Sequence, residues 1–135
     1  MLGKKVEYSS LNSKQKEIYN FQKVSAVFAD YGYTTIKLSD DWMGADFIAI
    51  SPNGLKHLRI QLKTRLTFDK RYQKKDLCIC FYDAESGNWY MYDHDEMLKK
   101  FIKKIKNSKA WKAKGGFHYP SLSQFAVKCL ESSII

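Results

Sequence analysis

Two neighbouring apolar stretches carry polar side chains that could take part in chemistry. Asp46 lies in the stretch GADFIAI, and Gln61 and Lys63 lie in the stretch RIQLKTR. Together they offer a carboxylate, an amide oxygen and an amine. Polar groups next to buried strands cost free energy unless they have partners or a function. This trio is therefore the first candidate for a functional site, provided that the fold brings its members together.

A β-hairpin is the element predicted to position these three side chains. Residues 47–50 form an apolar run, and residues 58–63 alternate between apolar and polar side chains, which is typical of strands. Asn53 and Gly54 lie between them. This pair predicts a two-residue type I′ turn, because both positions of that turn need a positive φ.

The turn also predicts which residues face each other. With Asn53 and Gly54 as the turn residues, Ile50 pairs with His57 and Asp46 pairs with Gln61. Directly opposed side chains lie about 5 Å apart on one face, and Lys63 points the same way because strand side chains alternate. A one-residue slip, or a wider turn over residues 51–56, would move the facing pair.

The remaining chain predicts helices and strands on both sides of the hairpin. Asn12 and Gln15 have the spacing of a capping box, and the helix that they begin extends to about Asp30. The other predicted elements are strands at 33–38, 76–83 and 89–92, a loop at 39–43, a short helix or loop at 64–76, a helix capped by Asp93, and a last helix capped by Ser121.

The spacing of Asp46, Gln61 and Lys63 within these strands resembles the PD-(D/E)xK nuclease superfamily. That superfamily has the restriction-endonuclease-like fold, also found in Holliday-junction resolvases and some homing endonucleases. The sequence departs from the pattern twice, with Ala45 in place of the proline and Gln61 in place of the acidic residue. The resemblance implies an α/β fold with a mixed central sheet of about four or five strands flanked by helices. The length of 135 residues predicts a single domain over residues 1–135.

The resemblance also implies a set of residues for a divalent metal ion, Mg²⁺ or Mn²⁺. Asp46 and Glu17 would supply carboxylate oxygens, Gln61 an amide oxygen and Leu62 a backbone carbonyl. Lys63 would orient the attacking water or stabilise developing charge. Glu17 also fits a simpler role, as a partner of a lysine one turn away on its helix. Asp40 and Asp41 fit turn and capping roles better than outer-sphere metal contacts.

Charge and composition favour a polyanionic partner. The chain has a net charge of +9 and is rich in aromatic residues, with nine Tyr and three Trp, and a basic surface of this kind attracts nucleic acids. The residues predicted to contact DNA phosphates are Arg65, Lys70, Arg71, Lys74, Lys75, Lys103 and Lys104.

These observations predict a metal-dependent DNA endonuclease of the resolvase, homing or restriction type. The alternative is a nucleic-acid-binding module on the same fold that does not cut, and a third hypothesis is an RNA-directed protein that uses its tyrosines for stacking. One domain presents one active site, so cutting both strands suggests a homodimer or a higher homo-oligomer. No apolar run is long enough to span a membrane, and the absence of a visible signal peptide favours a cytoplasmic protein.

Overall fold

A mixed sheet of five strands forms the centre of the computed structural model, which describes residues 1–135. The helices and strands in chain order are α1 (Ser13–Asp30), β1 (Thr34–Trp42), β2 (Ala45–Ile50), β3 (His57–Lys63), β4 (Thr67–Asp69), β5 (Leu77–Asp83), β6 (Asn88–Asp93), α2 (His94–Ile105), α3 (Lys109–Lys114), β7 (Gly116–His118) and α4 (Gln124–Leu130). Single 3₁₀ turns occur at Tyr8–Ser10, Lys70–Tyr72 and Glu131–Ser133.

The strand order of the central sheet is β1-β2-β3-β5-β6. Strands β3 and β5 are parallel, and the other neighbours are antiparallel. Strands β4 and β7 form a separate two-stranded sheet. The predicted α/β class, with a mixed central sheet of four or five strands flanked by helices, is confirmed. None of the helices is long and apolar enough to cross a lipid bilayer.

Apolar side chains cover the sheet on both faces. A smaller cluster packs Val24 and Phe28 of α1 against Phe47, Ile60 and Cys80 of the sheet. A larger cluster packs β5 and β6 against α2, α3, α4 and the small sheet. Burial of apolar surface is the main favourable contribution to folding, so these two clusters fix the sheet between its helices.

The first helix has the predicted bounds and cap. The side chain of Asn12 accepts a hydrogen bond from the Gln15 amide at 2.9 Å, and the Gln15 side chain accepts one from the Asn12 amide at 3.0 Å. This reciprocal pair satisfies two amides that a helix N-terminus leaves without partners.

The hairpin of β2 and β3 has the predicted register but a different turn. Ile50 pairs with His57, as expected. However, the Gly54 amide donates to the Ser51 carbonyl at 2.9 Å, and only Gly54 has a positive φ in this loop, at 73°. The type I′ prediction was therefore wrong. Pro52 is restricted to a negative φ that suits the second position of a four-residue turn beginning at Ser51, and the wider loop keeps the same pairing.

A type I′ geometry occurs instead in the preceding hairpin. Met43 and Gly44 have φ values of 51° and 86°, and Trp42 pairs with Ala45 across them. Strand β1 continues to Trp42. The prediction of a loop was therefore wrong for residues 39–42. The register shifts between Lys37 and Trp42, and the extra β1 residues form a bulge there.

Two predictions in the second half of the chain need correction. The segment 64–76 contains the strand β4 as well as a 3₁₀ turn, because β7 supplies a partner strand that lies far away in the sequence. The last helix is capped by Ser123, whose hydroxyl accepts from the Ala126 amide at 3.2 Å, and not by Ser121. Neither α3 nor β7 was predicted from the sequence.

Candidate active site

The candidate site lies where the ladder between β2 and β3 ends. Regular pairing stops at Phe47 and Ile60. Beyond that point the Leu62 amide donates to the Asp46 carboxylate Oδ2 at 2.8 Å, in place of a backbone acceptor. The same register, extended by one pair, sets Asp46 opposite Gln61. The carboxylate is thus held by the backbone of the strand that carries Gln61 and Lys63.

A cleft of about 470 Å³ opens at this point between the sheet and the N-terminal half of α1. Residues Glu17, Asp46, Gln61, Leu62 and Lys63 all line it. The structure therefore brings together around one cleft the five residues singled out for the metal ion and the chemistry. The other residues that line the cleft are Tyr8, Ser13, Lys16, Asn20 and Thr64.

Asp46 is half-buried, and its environment disfavours the ionised form of the carboxyl group. Burial raises the pKa of Asp46 above its ordinary value, and the nearby Asp41 raises it further. The Leu62 hydrogen bond, Lys63 and Lys37 lower the pKa but do not outweigh burial. A cation bound in the cleft would favour the ionised form of Asp46.

Gln61 has an unusual position for an amide side chain. It is only 8% exposed, and its Oε1 is the one buried side-chain polar atom of the protein that has no hydrogen-bond partner. Leaving a buried acceptor unpaired costs about 1–3 kcal/mol. Because Gln61 also lines the cleft, its amide is a candidate ligand group for a bound cation.

The Lys63 side chain lines the cleft and lies over the aromatic ring of Tyr72. Its Nζ lies 5.3 Å from the centre of the Tyr72 ring, a distance at which the ring quadrupole attracts the ammonium group. Lys63 also lies near Asp46 and Asp69, whose pKa values it lowers. The ammonium group therefore has one aromatic neighbour at short distance and two carboxylates within electrostatic range.

Glu17 is the least constrained member of the set. Its side chain is 50% exposed and forms ion pairs with Lys37 at 3.3 Å and Lys14 at 3.7 Å. The pair with Lys14 is the alternative role considered from the sequence. Both roles remain compatible with its place on the wall of the cleft.

A second cleft of about 410 Å³ adjoins the first, with Glu17 and Asp46 lining both. The bulge in β1 sets Asp40 and Asp41 on its wall. Both aspartates are exposed. Acidic groups therefore extend from the first cleft along β1.

None of the seven basic residues predicted to contact DNA lines the first cleft, which we call the main cleft. Arg71 is linked to the cleft indirectly, because Asp69 accepts three hydrogen bonds from its guanidinium group and Asp69 in turn lies near Lys63. Lys70 stacks on Trp111, and Lys104 stacks on Phe125 of α4. Arg65, Lys74 and Lys103 are exposed, and Lys75 is partly buried.

Sequence reasoning missed several polar residues of the two clefts. Lys16 and Asn20 line the first cleft and Lys37 lines the second. The spacing of Asn20 from Glu17 carried part of the signal, because positions three or four apart on a helix share a face. Lys37 pairs with Phe47 in the regular part of β1, and it meets Glu17 across 20 residues of chain, which no local sequence pattern indicates.

The donors in the cleft fit a hard divalent cation with few protein ligands. No group of three or more His, Cys, Asp and Glu residues is arranged to hold a metal ion. The cleft offers two carboxylates and the free amide oxygen of Gln61. Mg²⁺ often keeps several waters and takes only one or two carboxylates, so this oxygen set suits Mg²⁺ or Mn²⁺ better than a metal that needs thiolate or imidazole ligands.

Comparisons with known proteins give a partial structural likeness. No protein-family profile matches the chain, and no curated protein matches it in sequence. Among solved structures, the chain is similar to the bacterial homing endonuclease I-Ssp6803I, with 14% identity over 84% of this chain and 78% of that one and a TM-score of 0.49.

Proposed function

We propose that this protein is a metal-dependent DNA endonuclease that hydrolyses phosphodiester bonds, with a PD-(D/E)xK-type site in which Gln61 replaces the acidic residue. The observation that carries the proposal is the unpartnered, buried Oε1 of Gln61, a residue that lines the same polar cleft as Asp46. The net charge of +9 supports DNA as the substrate.

In this proposal some residues of the cleft bind the metal ion, and Lys63 acts on the water or the phosphate. Asp46, Glu17, the amide of Gln61 and the Leu62 carbonyl would hold Mg²⁺ or Mn²⁺. The bound ion would lower the pKa of a water molecule and neutralise charge on the phosphate. Asp46 keeps its orientation through the Leu62 amide. Lys63, held over Tyr72, would orient the water or stabilise the charge that develops on the phosphate.

The replacement of a carboxylate by Gln61 has a consequence for metal affinity. It removes one negative charge from the donor set, so the ion should bind more weakly than in a site with three carboxylates. We therefore expect activity to need millimolar Mg²⁺ or to prefer Mn²⁺. A chain with one such cleft would cut both strands as a homodimer or a higher homo-oligomer.

Nicking of supercoiled DNA across a titration of Mg²⁺ and Mn²⁺ tests this function. Lys63→Ala should lower the cleavage rate by about 100-fold or more while DNA binding is retained. Lys128→Ala removes the same charge from an exposed position on α4 and should leave cleavage unchanged. Full activity of the wild type in the presence of a chelator would refute the metal site.

Binding of Mn²⁺ in the absence of DNA gives a second measurement that does not depend on cleavage. Gln61→Glu should tighten Mn²⁺ binding, because it adds a carboxylate to the residues that line the cleft. Gln73→Glu introduces the same charge at an exposed position outside the cleft and is the matched control. Equal effects of the two substitutions would show that only the net charge matters.

A non-catalytic DNA-binding module is the second candidate, and the small number of carboxylates in the cleft favours it. In that case no metal ion would support cleavage by the wild type, while DNA binding would persist. Comparison of the wild type with Asp46→Ala separates the two. A rate difference between them supports the enzyme, and absence of cleavage in both supports the module.

A further inference from the structure

A groove lined by aromatic rings lies directly beside the candidate active site. It has a volume of about 400 Å³ and is lined by Tyr8, Tyr19, Tyr82 and Trp89, which we call the aromatic groove. Lys63 and Thr64 line both this groove and the main cleft. A ligand in the groove would therefore be continuous with one held at Lys63.

The four rings form two tilted pairs that come from different parts of the chain. Tyr8 and Tyr19 have ring centres 5.1 Å apart, and those of Tyr82 and Trp89 are 5.3 Å apart. The Asn20 amide donates to the Tyr8 hydroxyl at 2.9 Å, which ties the N-terminal segment to α1. The three tyrosines are about 40% exposed, so part of each ring is accessible.

Cations accompany the rings on the α1 side of the groove. The Lys16 ammonium lies 5.4 Å from the centre of the Tyr8 ring, and the Lys23 ammonium lies 5.2 Å from that of Tyr19. With Lys63 at the junction, the groove combines flat apolar faces with positive charge at its rim. A chain of phosphates that carries flat bases matches this combination in both shape and charge.

We propose that the aromatic groove binds an unpaired nucleobase next to the phosphate that is held at Lys63. The bases of an intact duplex are stacked on each other and cannot lie against these rings, so the nucleotide must come from a single-stranded flank, a junction or a distorted pair. The proposal rests on the proposed function for the position of the phosphate. It adds a substrate class, namely DNA with an unpaired nucleotide beside the cut site.

The test uses binding without cleavage, so that it is independent of the chemistry. A DNA duplex with a short single-stranded flank containing 2-aminopurine is titrated with the wild-type protein in the presence of a chelator. Stacking on an aromatic ring should quench the fluorescence of the probe. A fully paired duplex of the same sequence should bind more weakly.

Single aromatic substitutions locate the effect. Tyr19→Ala and Tyr82→Ala should each weaken binding of the flanked duplex by roughly 5- to 150-fold and reduce the quenching. Tyr82→Phe keeps the ring and should behave as the wild type does. Tyr31→Ala removes a more exposed tyrosine at the α1 C-terminus outside the groove, and should have no effect.

The remaining outcomes refute either the base-binding groove or the nuclease function, and none refutes both. Equal affinity for flanked and paired duplexes, with no loss in the alanine variants, refutes the aromatic groove as a base site. Concentration-dependent dimers that the alanine variants dissociate, without any change in quenching, would assign the groove to a second copy of the chain and also refute it. If the protein quenches 2-aminopurine but does not cleave DNA with any metal ion, the groove is supported as a base site and the nuclease function is refuted.

Discussion

Buried polar groups occur in two regions of this protein, and only one of them satisfies its own hydrogen bonds. His94 is 1% exposed, yet its Nε2 accepts from the Asp69 amide at 3.1 Å and its Nδ1 pairs with Asp95 at 2.9 Å. Asp69 also pairs with Arg71. In the cleft, by contrast, Gln61 Oε1 has no partner and Asp46 has a raised pKa.

This difference separates a structural role from a functional one. A network that satisfies its donors and acceptors rigidifies the fold, and the His94 network joins β4 to the start of α2. Unsatisfied groups lower stability and persist where they serve a function. Tyr72 connects the two regions, because its ring contacts both His94 and Lys63.

The largest expected effect is on activity in the cleft. Asp46→Asn keeps an oxygen that can accept from the Leu62 amide but removes the partly desolvated charge. We expect cleavage to fall by about 100-fold or more, while the melting temperature at pH 7 rises. Nicking assays and thermal melts of the same preparations measure both effects. A fall in melting temperature would mean that Asp46 has a structural role.

The next largest effect is on stability in the His94 network. His94→Ala leaves a cavity and removes the partners of the Asp69 amide and of Asp95. We expect a loss of about 2–4 kcal/mol in the free energy of unfolding, measured by urea titration. A loss well below 1 kcal/mol would contradict the view that this network is structural.

The smallest effect is a difference in pH dependence between the two carboxylates. Burial raises the pKa of Asp46 above 3.8, so its ionisation disfavours the folded state. The stability gained by Asp46→Asn should therefore grow as the pH rises from about 4 through the folded-state pKa. Melting temperatures of the variant and the wild type between pH 4 and pH 7 test this.

Asp69 should show the opposite sign. Burial opposes its ionisation, but the hydrogen bonds and charge of Arg71 hold the pKa of Asp69 below 3.8. Its contribution is therefore present above about pH 4 and lost as the pH falls through the lower, folded-state value. Asp69→Asn should lower the melting temperature by a constant amount from pH 5 to pH 7. A deficit that changes in this range would contradict the assigned direction.

Local patterns in the sequence determined the elements that build the site. The capping box of Asn12 and Gln15, the alternation in β3 and the register of Ile50 with His57 depend on neighbouring residues only, and each was predicted correctly. The predicted pair of Asp46 with Gln61 extends that register by one residue beyond the observed ladder, where the Leu62 amide donates to the Asp46 carboxylate instead.

Only the tertiary structure decided how those elements combine around the cleft. The bulge in β1, the turn at Met43 and Gly44, and the pairing of β4 with β7 depend on partners that lie elsewhere in the chain. The same holds for the Tyr72 ring under Lys63 and for the aromatic groove. Short-range periodicity specifies which face a side chain takes, whereas the neighbours that it meets there are set by packing between distant segments.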